Sequence, residues 1–407
     1  MTLHASTPLA GRTLVLAVTG SIAAYKAAHL ARLLVKAGAR VLPVMTRAAT
    51  SFLGAATLAG ITGQPVRVDM WDASVAGELH VDLARAADLV ILAPTTADTL
   101  ARLRQGRADD LVSALVLCAT CPVLLAPAMH PRMWAHPAVE DNVRALSSMG
   151  RVAWIGPEEG EVASRESGVG RMSEPEAILD RARELLAPGD LVGRRVVVTA
   201  GPTYEDVDPV RFLGNTSSGK MGFAVAARAR ARGAEVLLIA GPVSLDTPRG
   251  VERRDVRSAL DMQREVAAAL VSTAPPVRAL VMSAAVADFR PRVRAGEKLK
   301  KNAAGVPTLD LVENPDILAG VGAARAGNAP LLVGFALETA EDRLLEYARR
   351  KLVEKKVDLV VANLAGASLG RDTNRTLFVT ASDPPVPREG TKRDIADRIL
   401  DWIAAQP

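Results

Sequence analysis

Cysteine, aromatic side chains, long apolar runs and the dinucleotide glycine fingerprint are all scarce or missing from this chain of 407 residues. Only Cys118 and Cys121 occur, which excludes a disulfide framework. A lone C-x-x-C is a redox pair or half a zinc site, but no second Cys/His pair stands at zinc-ligand spacing. The plainer expectation is two small buried hydrophobes leading into the strand "PVLLAP". Aromatics make up 3% of the chain, so its cores have to be built from Ala, Val, Leu and Ile. Neither a signal-peptide pattern nor a run of eighteen apolar residues is present, and the expectation is a cytoplasmic protein with no membrane partner. G-x-G-x-x-G is absent from both halves, which argues against an NAD site. The net charge is +5, but the basic residues are dispersed without aromatic interleaving. That pattern speaks against nucleic acid and is compatible with small anionic substrates.

What is present is one plan, written twice. Residues 11–46 read as a short strand, a Gly-Ser turn, a helix ended by Gly38 and a second strand, Arg40 to Met45. Residues 193–240 repeat this: strand Val196 to Ala200, a longer loop, a helix through "GFAVAARARARGA", and strand Glu235 to Ala240. Further apolar runs at 88–94, 122–127 and 151–156, then at 278–284, 330–336 and 357–363, suit strands covered on both faces. Strands alternating with helices predict an α/β chain: two doubly wound parallel-sheet domains in tandem, Rossmann-like or flavodoxin-like. The Pro/Gly-rich stretch "APGDLVG" sets the boundary, giving domains 1–190 and 191–407.

Ligands of open parallel sheets gather beyond the carboxyl ends of the strands. In the first half that rule selects Thr19-Gly20-Ser21, Thr46, the stretch from Ala93 to Asp98, and Ala126 to His130. It also selects the Gly-rich, mobile-looking segment 160–172. Thr19-Gly20-Ser21 precedes a helix N-terminus, a natural phosphate seat. His80 starts a short helix ahead of a binding strand, although a lone histidine is more often structural.

The stretch "GNTSSGKMG" (214–222) nearly spells a P-loop. It lacks the hydroxyl that ligates magnesium, because Met221 stands there, and the polar-rich residues 201–213 separate it from the preceding strand. Its Asn, Thr, Ser and Gly residues still offer donors at a helix start. "EKLKK" brings Lys298, Lys300 and Lys301 together, and Lys351 and Lys355 lie four apart on one helical face. Taken alone, both charge runs read as solvated surface.

Several spaced motifs change that weighting. "GSIAAYK", "LHVDLARAADLVILAPTTAD", "ADDLVSA", "APAMHPRMW" and "GVGRM" resemble the flavin-dependent cysteine decarboxylases. They are most similar to the decarboxylase half of the bacterial bifunctional phosphopantothenoylcysteine decarboxylase/phosphopantothenate–cysteine ligase family. The resemblance implies a catalytic His80 and an FMN held by Gly20, Ser21, Thr46, Thr96 and Asp98. It also implies a chemistry of oxidation at the cysteinyl carbon, loss of carbon dioxide, and return of the hydride. Two positions depart from the family. His130 replaces an asparagine that orients the substrate carboxylate, and Ser164 replaces a flap cysteine that protonates the enethiol. Histidine can still donate to a carboxylate. A serine hydroxyl is a far poorer acid than a thiol of pKa about 8.5.

"AGPTYEDVDPVRFLGNTSSGKMGFA", "AAVADF", "KLKK", "ENPDI", "GFALET" and "YARRKLVEKKVDLVVAN" resemble the ligase half of the same family. There CTP, with magnesium, activates 4′-phosphopantothenate as an acyl-cytidylate and the amine of cysteine displaces CMP. Carried across, Lys298 serves acyl-cytidylate formation, and Arg211 and Asn215 serve phosphopantothenate and the second step. The CTP site falls to Ala284, Asp288, Asn314, Pro315, Asp316, Ile317, Phe335, Lys351 and Lys355, together with Lys298. Leu364 stands where aspartate is common, with little consequence expected. The resemblance also implies homo-oligomers. The expectation is a bifunctional enzyme of coenzyme A biosynthesis. Its alternatives are an active ligase fused to an impaired or oxidised-product decarboxylase, and a non-catalytic flavoprotein regulatory subunit.

Overall fold

The computed structural model describes residues 9–74, 76–271, 275–300, 308–338, 341–364 and 373–407. The chain divides into two compact units, Met1–Ala187 and Pro188–Pro407.

In the first unit β1 (Thr13–Val18), α1 (Tyr25–Lys36), β2 (Arg40–Met45), α2 (Ala55–Thr62), α3 (Leu79–Ala86), β3 (Leu89–Thr95), α4 (Ala97–Gln105) and α5 (Leu111–Cys118) follow one another. Then come β4 (Val123–Pro127), α6 (Pro131–Trp134), α7 (Pro137–Ser147), β5 (Val152–Trp154), β6 (Glu158–Glu161), β7 (Ser167–Arg171) and α8 (Pro175–Leu185). The sheet is parallel, in the order β2-β1-β3-β4-β5. Side chains alternate along each strand, so one run of apolar residues builds two cores. Leu14, Leu16 and Val18 pack on the side of α1 and α8, while Val15 and Ala17 pack on the side of α3 and α5.

The Gly-rich segment 160–172 belongs to a hairpin in which β6 pairs antiparallel with β7, and one expectation, on the cysteines, is corrected. Its glycines serve close approach: a Cβ at Gly170 would collide with the Met129 carbonyl, whose own N–H donates to the Gly170 carbonyl. The cysteines are not a buried pair. Cys118 is the exposed last residue of α5, and Cys121 is half-buried, with burial pushing its thiol pKa up. Both are free thiols.

The second unit contains β8 (Arg195–Ala200), β9 (Tyr204–Asp206), β10 (Phe212–Gly214), α9 (Lys220–Ala231), β11 (Glu235–Ala240), β12 (Glu252–Asp255), α10 (Ala259–Val271) and β13 (Val277–Met282). It continues with β14 (Phe289–Pro291), β15 (Leu311–Glu313), α11 (Ile317–Ala324), β16 (Leu331–Glu338), α12 (Glu341–Glu354), β17 (Leu359–Leu364), β18 (Thr373–Val379), β19 (Val386–Thr391) and a C-terminal helix, Lys392–Ala405. Its eight-stranded sheet runs β12-β11-β8-β13-β16-β17-β18-β19. Six strands are parallel, five of them within the expected runs, while the parallel edge strand β12 and the antiparallel edge formed by β18 and β19 were not foreseen. Val196, Val198 and Ala200 face α9 and the C-terminal helix, whereas Val197 faces α10. The short pair β14–β15 forms the base of an arm that carries Lys298.

Candidate active sites

In the first unit, the ends of β1, β2 and β3 converge on a cavity of about 740 Å³. The three turns there are built alike, each with a hydroxyl accepting from a backbone N–H. Ser21 accepts from Ala23 N (3.3 Å), Thr46 from Ala49 N (3.2 Å), and Thr96 caps α4 by accepting from Thr99 N (3.2 Å). Buried Thr19 ties two of these turns together: its hydroxyl donates to the Pro94 carbonyl (2.8 Å) and accepts from Thr96 N (3.2 Å). Gly20 has to be glycine, since a Cβ there would lie 2.5 Å from the Ala48 Cβ. Asp98 sits in the first turn of α4 and pairs with Arg102 (2.9 Å), which also holds Asp109 (2.8 Å). Met45, Met70, Trp71, Met129 and Met133 supply apolar wall. Helix-start donors and hydroxyls at one end, with a sulfur- and indole-lined wall, fit a phosphate joined to a large flat ring. The cavity's size lies within the range of small-molecule and cofactor sites.

Gly20, Ser21, Thr46, Thr96 and Asp98 all line this cavity, whereas His80, His130 and Ser164 lie outside its lining. His80 is the half-buried second residue of α3. His130 caps α6, its Nδ1 accepting from Arg132 N (3.2 Å), while its Nε2 is 3.4 Å from Glu166 on the hairpin. Arg132 reaches the other oxygen of the same carboxylate at 3.1 Å. The hairpin is thus fastened to the loop that carries His130, and exposed Ser164 lies in its turn.

The second unit has a cavity of about 810 Å³ at the carboxyl ends of β13, β16 and β17. Asn215, Ala284, Asp288, Asn314, Pro315, Asp316, Ile317, Phe335, Lys351 and Lys355, named above from distant parts of the sequence, meet around it. Asn314 is fixed by its side-chain N–H to the Ala287 carbonyl (2.8 Å) and its backbone N–H to the Asp288 carbonyl (2.8 Å). Asn215 donates to the Val286 carbonyl (2.9 Å). Asp316 caps α11 through Ala319 N and forms an ion pair with Lys355 (2.6 Å). Burial pushes the Asp316 carboxyl up, but the Lys355 ammonium and the Ala319 N–H outweigh it and the net shift is down. Lys351 donates to the Phe335 carbonyl. Burial, reinforced by the neighbouring Lys355 charge, lowers its ammonium from 10.5 to about 8.

Lys298 and Arg211 stand outside this lining. They belong to a docked arm: Leu299 N donates to the Asp208 carboxylate (3.1 Å), and Arg211 bonds both that carboxylate and the Leu299 carbonyl (2.7 Å). The Arg211 guanidinium, against the opposing effect of desolvation and with help from three backbone N–H groups, holds the Asp208 carboxyl far below its usual range. Lys298 is exposed on this arm, and Lys301 lies outside the described residues.

Two family descriptions divide the chain between them. "Flavoprotein" matches residues 2–187 and "DNA/pantothenate metabolism flavoprotein C-terminal domain" matches residues 191–406. A Mycobacterium tuberculosis protein called coenzyme A biosynthesis bifunctional protein CoaBC is 46% identical over 407 residues, covering 96% of each chain. Proteins of the same name from Vibrio cholerae and Escherichia coli are 44% and 45% identical. The alignments cover 98% of this chain in both cases, with 99% and 98% of the relatives. The chain belongs to this bifunctional coenzyme A biosynthesis family. It is accordingly an enzyme of that biosynthesis, built from the family's two domains in the family's order.

Lys220, Asn363, Asn374 and Lys392 also line the second cavity, although sequence reasoning gave none of them a role in the site. Lys392 carried one signal, since "TKRD" is a capping box and Thr391 and Asp394 do cap the C-terminal helix. Asn374 carried none, because strand β18 was not recognised. Among the described residues no group of three or more His, Cys, Asp or Glu could hold a metal ion, and no helix is long and apolar enough to cross a membrane.

Proposed function

We propose that the second unit joins cysteine to 4′-phosphopantothenate at the expense of CTP, and that the first unit decarboxylates the product to 4′-phosphopantetheine with FMN. The observation that carries the reading is that the five residues given to FMN line one cavity, and nine of the ten given to CTP line the other, each at the carboxyl ends of a parallel sheet.

In the ligase reaction, CTP lies along Ala284, Asp288 and the 314–317 turn, with Lys351 and Lys355 countering its negative charge. Support comes from the Lys355–Asp316 pair and the Lys351–Phe335 bond, which fix both ammoniums on one wall. The turn at 215–219 precedes α9 and offers N–H groups to the phosphates. Magnesium would enter with the nucleotide and would help neutralise its charge. Lys298 reaches the reacting carboxylate by movement of the arm, and Arg211 and Asn215 hold phosphopantothenate.

In the decarboxylase reaction, Gly20, Ser21, Thr46, Thr96 and Asp98 hold the flavin's phosphate and ribityl chain, the hydroxyl-capped turns being the support. FMN, when bound, supplies the two-electron oxidation of the cysteinyl carbon and the return of the hydride. His80 handles the proton, and His130 binds the substrate carboxylate in place of the family's asparagine. The hairpin with Ser164 excludes water. The enzyme works as a cytoplasmic homo-oligomer.

A second reading, an active ligase beside a stalled decarboxylase, is favoured by one observation: a serine hydroxyl stands in the flap turn where the family has a thiol. The visible spectrum of the purified protein, and its turnover of supplied 4′-phosphopantothenoylcysteine, test the first unit. Flavin absorbance with full turnover supports the main reading. Flavin absorbance with an unsaturated thiol as product supports the second, and absence of bound flavin contradicts both.

A further inference from the structure

Asp208 stands in the turn between β9 and β10, is 1% exposed, and has no role in either reaction as assigned above. Its Oδ1 accepts from the backbone N–H groups of Val210 and Arg211, both at 2.8 Å. Its Oδ2 accepts from Arg211 Nε (2.9 Å), from Arg211 Nη2 and from Leu299 N (3.1 Å). A carboxylate has about four lone-pair sites, so these donors use them all and none is left for a ligand. Whatever Asp208 does for the reaction, it does through the groups it holds.

Those groups come from two places. The Val210 and Arg211 donors belong to the turn itself. Leu299 N comes from the arm, 91 residues further along the chain, and follows Lys298 directly. The Leu299 carbonyl accepts from Arg211 Nη2 (2.7 Å), so both polar backbone groups of this residue are held. Upstream in the arm, Ala295 N donates to the Val207 carbonyl (3.0 Å) and Arg294 pairs with Asp206 (3.3 Å). An apolar contact would lay a loop down as well, whereas charge-assisted bonds to one residue also fix its register. Exposed Lys298 is the immediate neighbour of that fixed point. Arg211 spends its Nε and Nη2 hydrogens in this knot, which leaves those of Nη1 for an anion.

We propose that Asp208 is a positioning residue of the ligase reaction, joining Arg211 and the Lys298 segment into one unit. The residue given to phosphopantothenate and the residue given to acyl-cytidylate formation then keep their spacing as the arm moves. The inference rests on the ligase reading and on the roles it gives Arg211 and Lys298. Asp208 lies outside the lining of the second cavity, so it takes no part in holding CTP.

The test uses the full-length enzyme. Acyl-cytidylate formation is read as exchange of labelled pyrophosphate into CTP, with saturating 4′-phosphopantothenate and no cysteine. CTP affinity is read by calorimetry, and docking of the arm by amide exchange over 295–300. Asp208→Asn keeps the shape and removes the charge. A hydrogen bond to a charged group corresponds to about a tenfold to hundredfold effect, expected both as a fall in the saturated pyrophosphate exchange rate and as faster amide exchange in the arm. CTP affinity should stay within about twofold of the parent, because its site is independent. A merely structural aspartate would loosen the arm or lower the thermal transition and leave the saturated rate alone. That result would overturn the proposal, as would unchanged amide exchange in the arm. If Asp208→Asn does not fold, Leu299→Pro decides, since it deletes the arm's N–H and leaves the donors of the turn in place. The same fall in rate then supports the proposal, and the parent's rate overturns it. Lys298→Gln separates failure of the underlying reading. If it keeps the parent's rate, or if the parent shows no pyrophosphate exchange, the ligase assignments fail and the proposal with them. A slow Lys298→Gln beside a normal Asp208→Asn removes the positioning role alone.

Discussion

The ammonium of Lys351 should make nucleotide affinity fall in mild alkali. Burial and the Lys355 charge bring it to about 8 in the free protein, while Asp316, Glu338 and Asp288 pull the other way and do not prevail. A CTP triphosphate on the same wall stabilises the charged form, so binding raises this pKa and couples to proton uptake. With a free-protein value of 8, roughly nine-tenths of the lysines are protonated at pH 7 and roughly one-tenth at pH 9, which costs about tenfold in affinity over those two units. The sign for stability follows from the same shift. The unfolded lysine keeps its proton to above pH 10. Between the folded and unfolded values the unfolded state therefore binds more protons, and the burial penalty present at pH 7 is relieved as pH rises through 8 towards 10. Calorimetric titration of CTP from pH 7 to 9, in buffers of different ionisation enthalpy, measures both affinity and proton uptake. The expected result is a tenfold decline with uptake approaching one proton, and a Lys351→Met variant that binds more weakly with a flat pH profile. A parent profile that is already flat, or an equal slope in Lys351→Met, would refute the reasoning.

Three further perturbations test other parts of the molecule. Arg232 is 2% exposed and bonds Asp190 (2.9 Å) and Asp401 (2.8 Å). Arg232→Met removes a buried guanidinium whose partner carboxylates are partly solvated, and should cost the second unit about 1–3 kcal/mol, read from amide exchange in α9 under denaturant; a loss below about 0.5 kcal/mol would contradict this. Gly20→Ala drives a methyl into Ala48 and should release flavin, measured by absorbance after desalting, with the fold of the unit kept by circular dichroism; retention of stoichiometric flavin would dismiss the assigned phosphate turn. Glu166→Gln weakens the contacts of the hairpin to His130 and Arg132. Both are partly exposed pairs worth about 0–1 kcal/mol each, so amide exchange in 162–171 should accelerate no more than about tenfold, while unchanged exchange would show that the glycine contacts alone close the hairpin.

What could be read from the sequence, and what could not, follows from how far each feature is local. The strands at 40–45 and 235–240 have their bounds as expected, because an apolar run after a helix-ending glycine is a local signal. Strands β18 and β19 were missed because "TNRTLFV" and "VPREGT" mix Asn, Arg, Pro and Gly into an edge that buries only alternate side chains. The pairing of 160–172 into a hairpin was not read from its glycines, of which Gly168 and Gly170 let it pack against Met129 and Pro131. Cys118 was expected inside, but the helix containing it turns its last residue to solvent. The second cavity's main wall was legible through motifs that each stay within a few residues. Asn374 reaches the second cavity, which Lys392 also lines, through a strand whose antiparallel register with 386–391 no single stretch of sequence encodes.

The central claim, two consecutive reactions on one chain, is tested most directly by giving the purified protein 4′-phosphopantothenate, CTP, magnesium and cysteine and weighing the products by mass spectrometry. The account predicts 4′-phosphopantetheine. Accumulated 4′-phosphopantothenoylcysteine, or a species two hydrogens lighter than 4′-phosphopantetheine, would leave the ligase standing and contradict the complete decarboxylase.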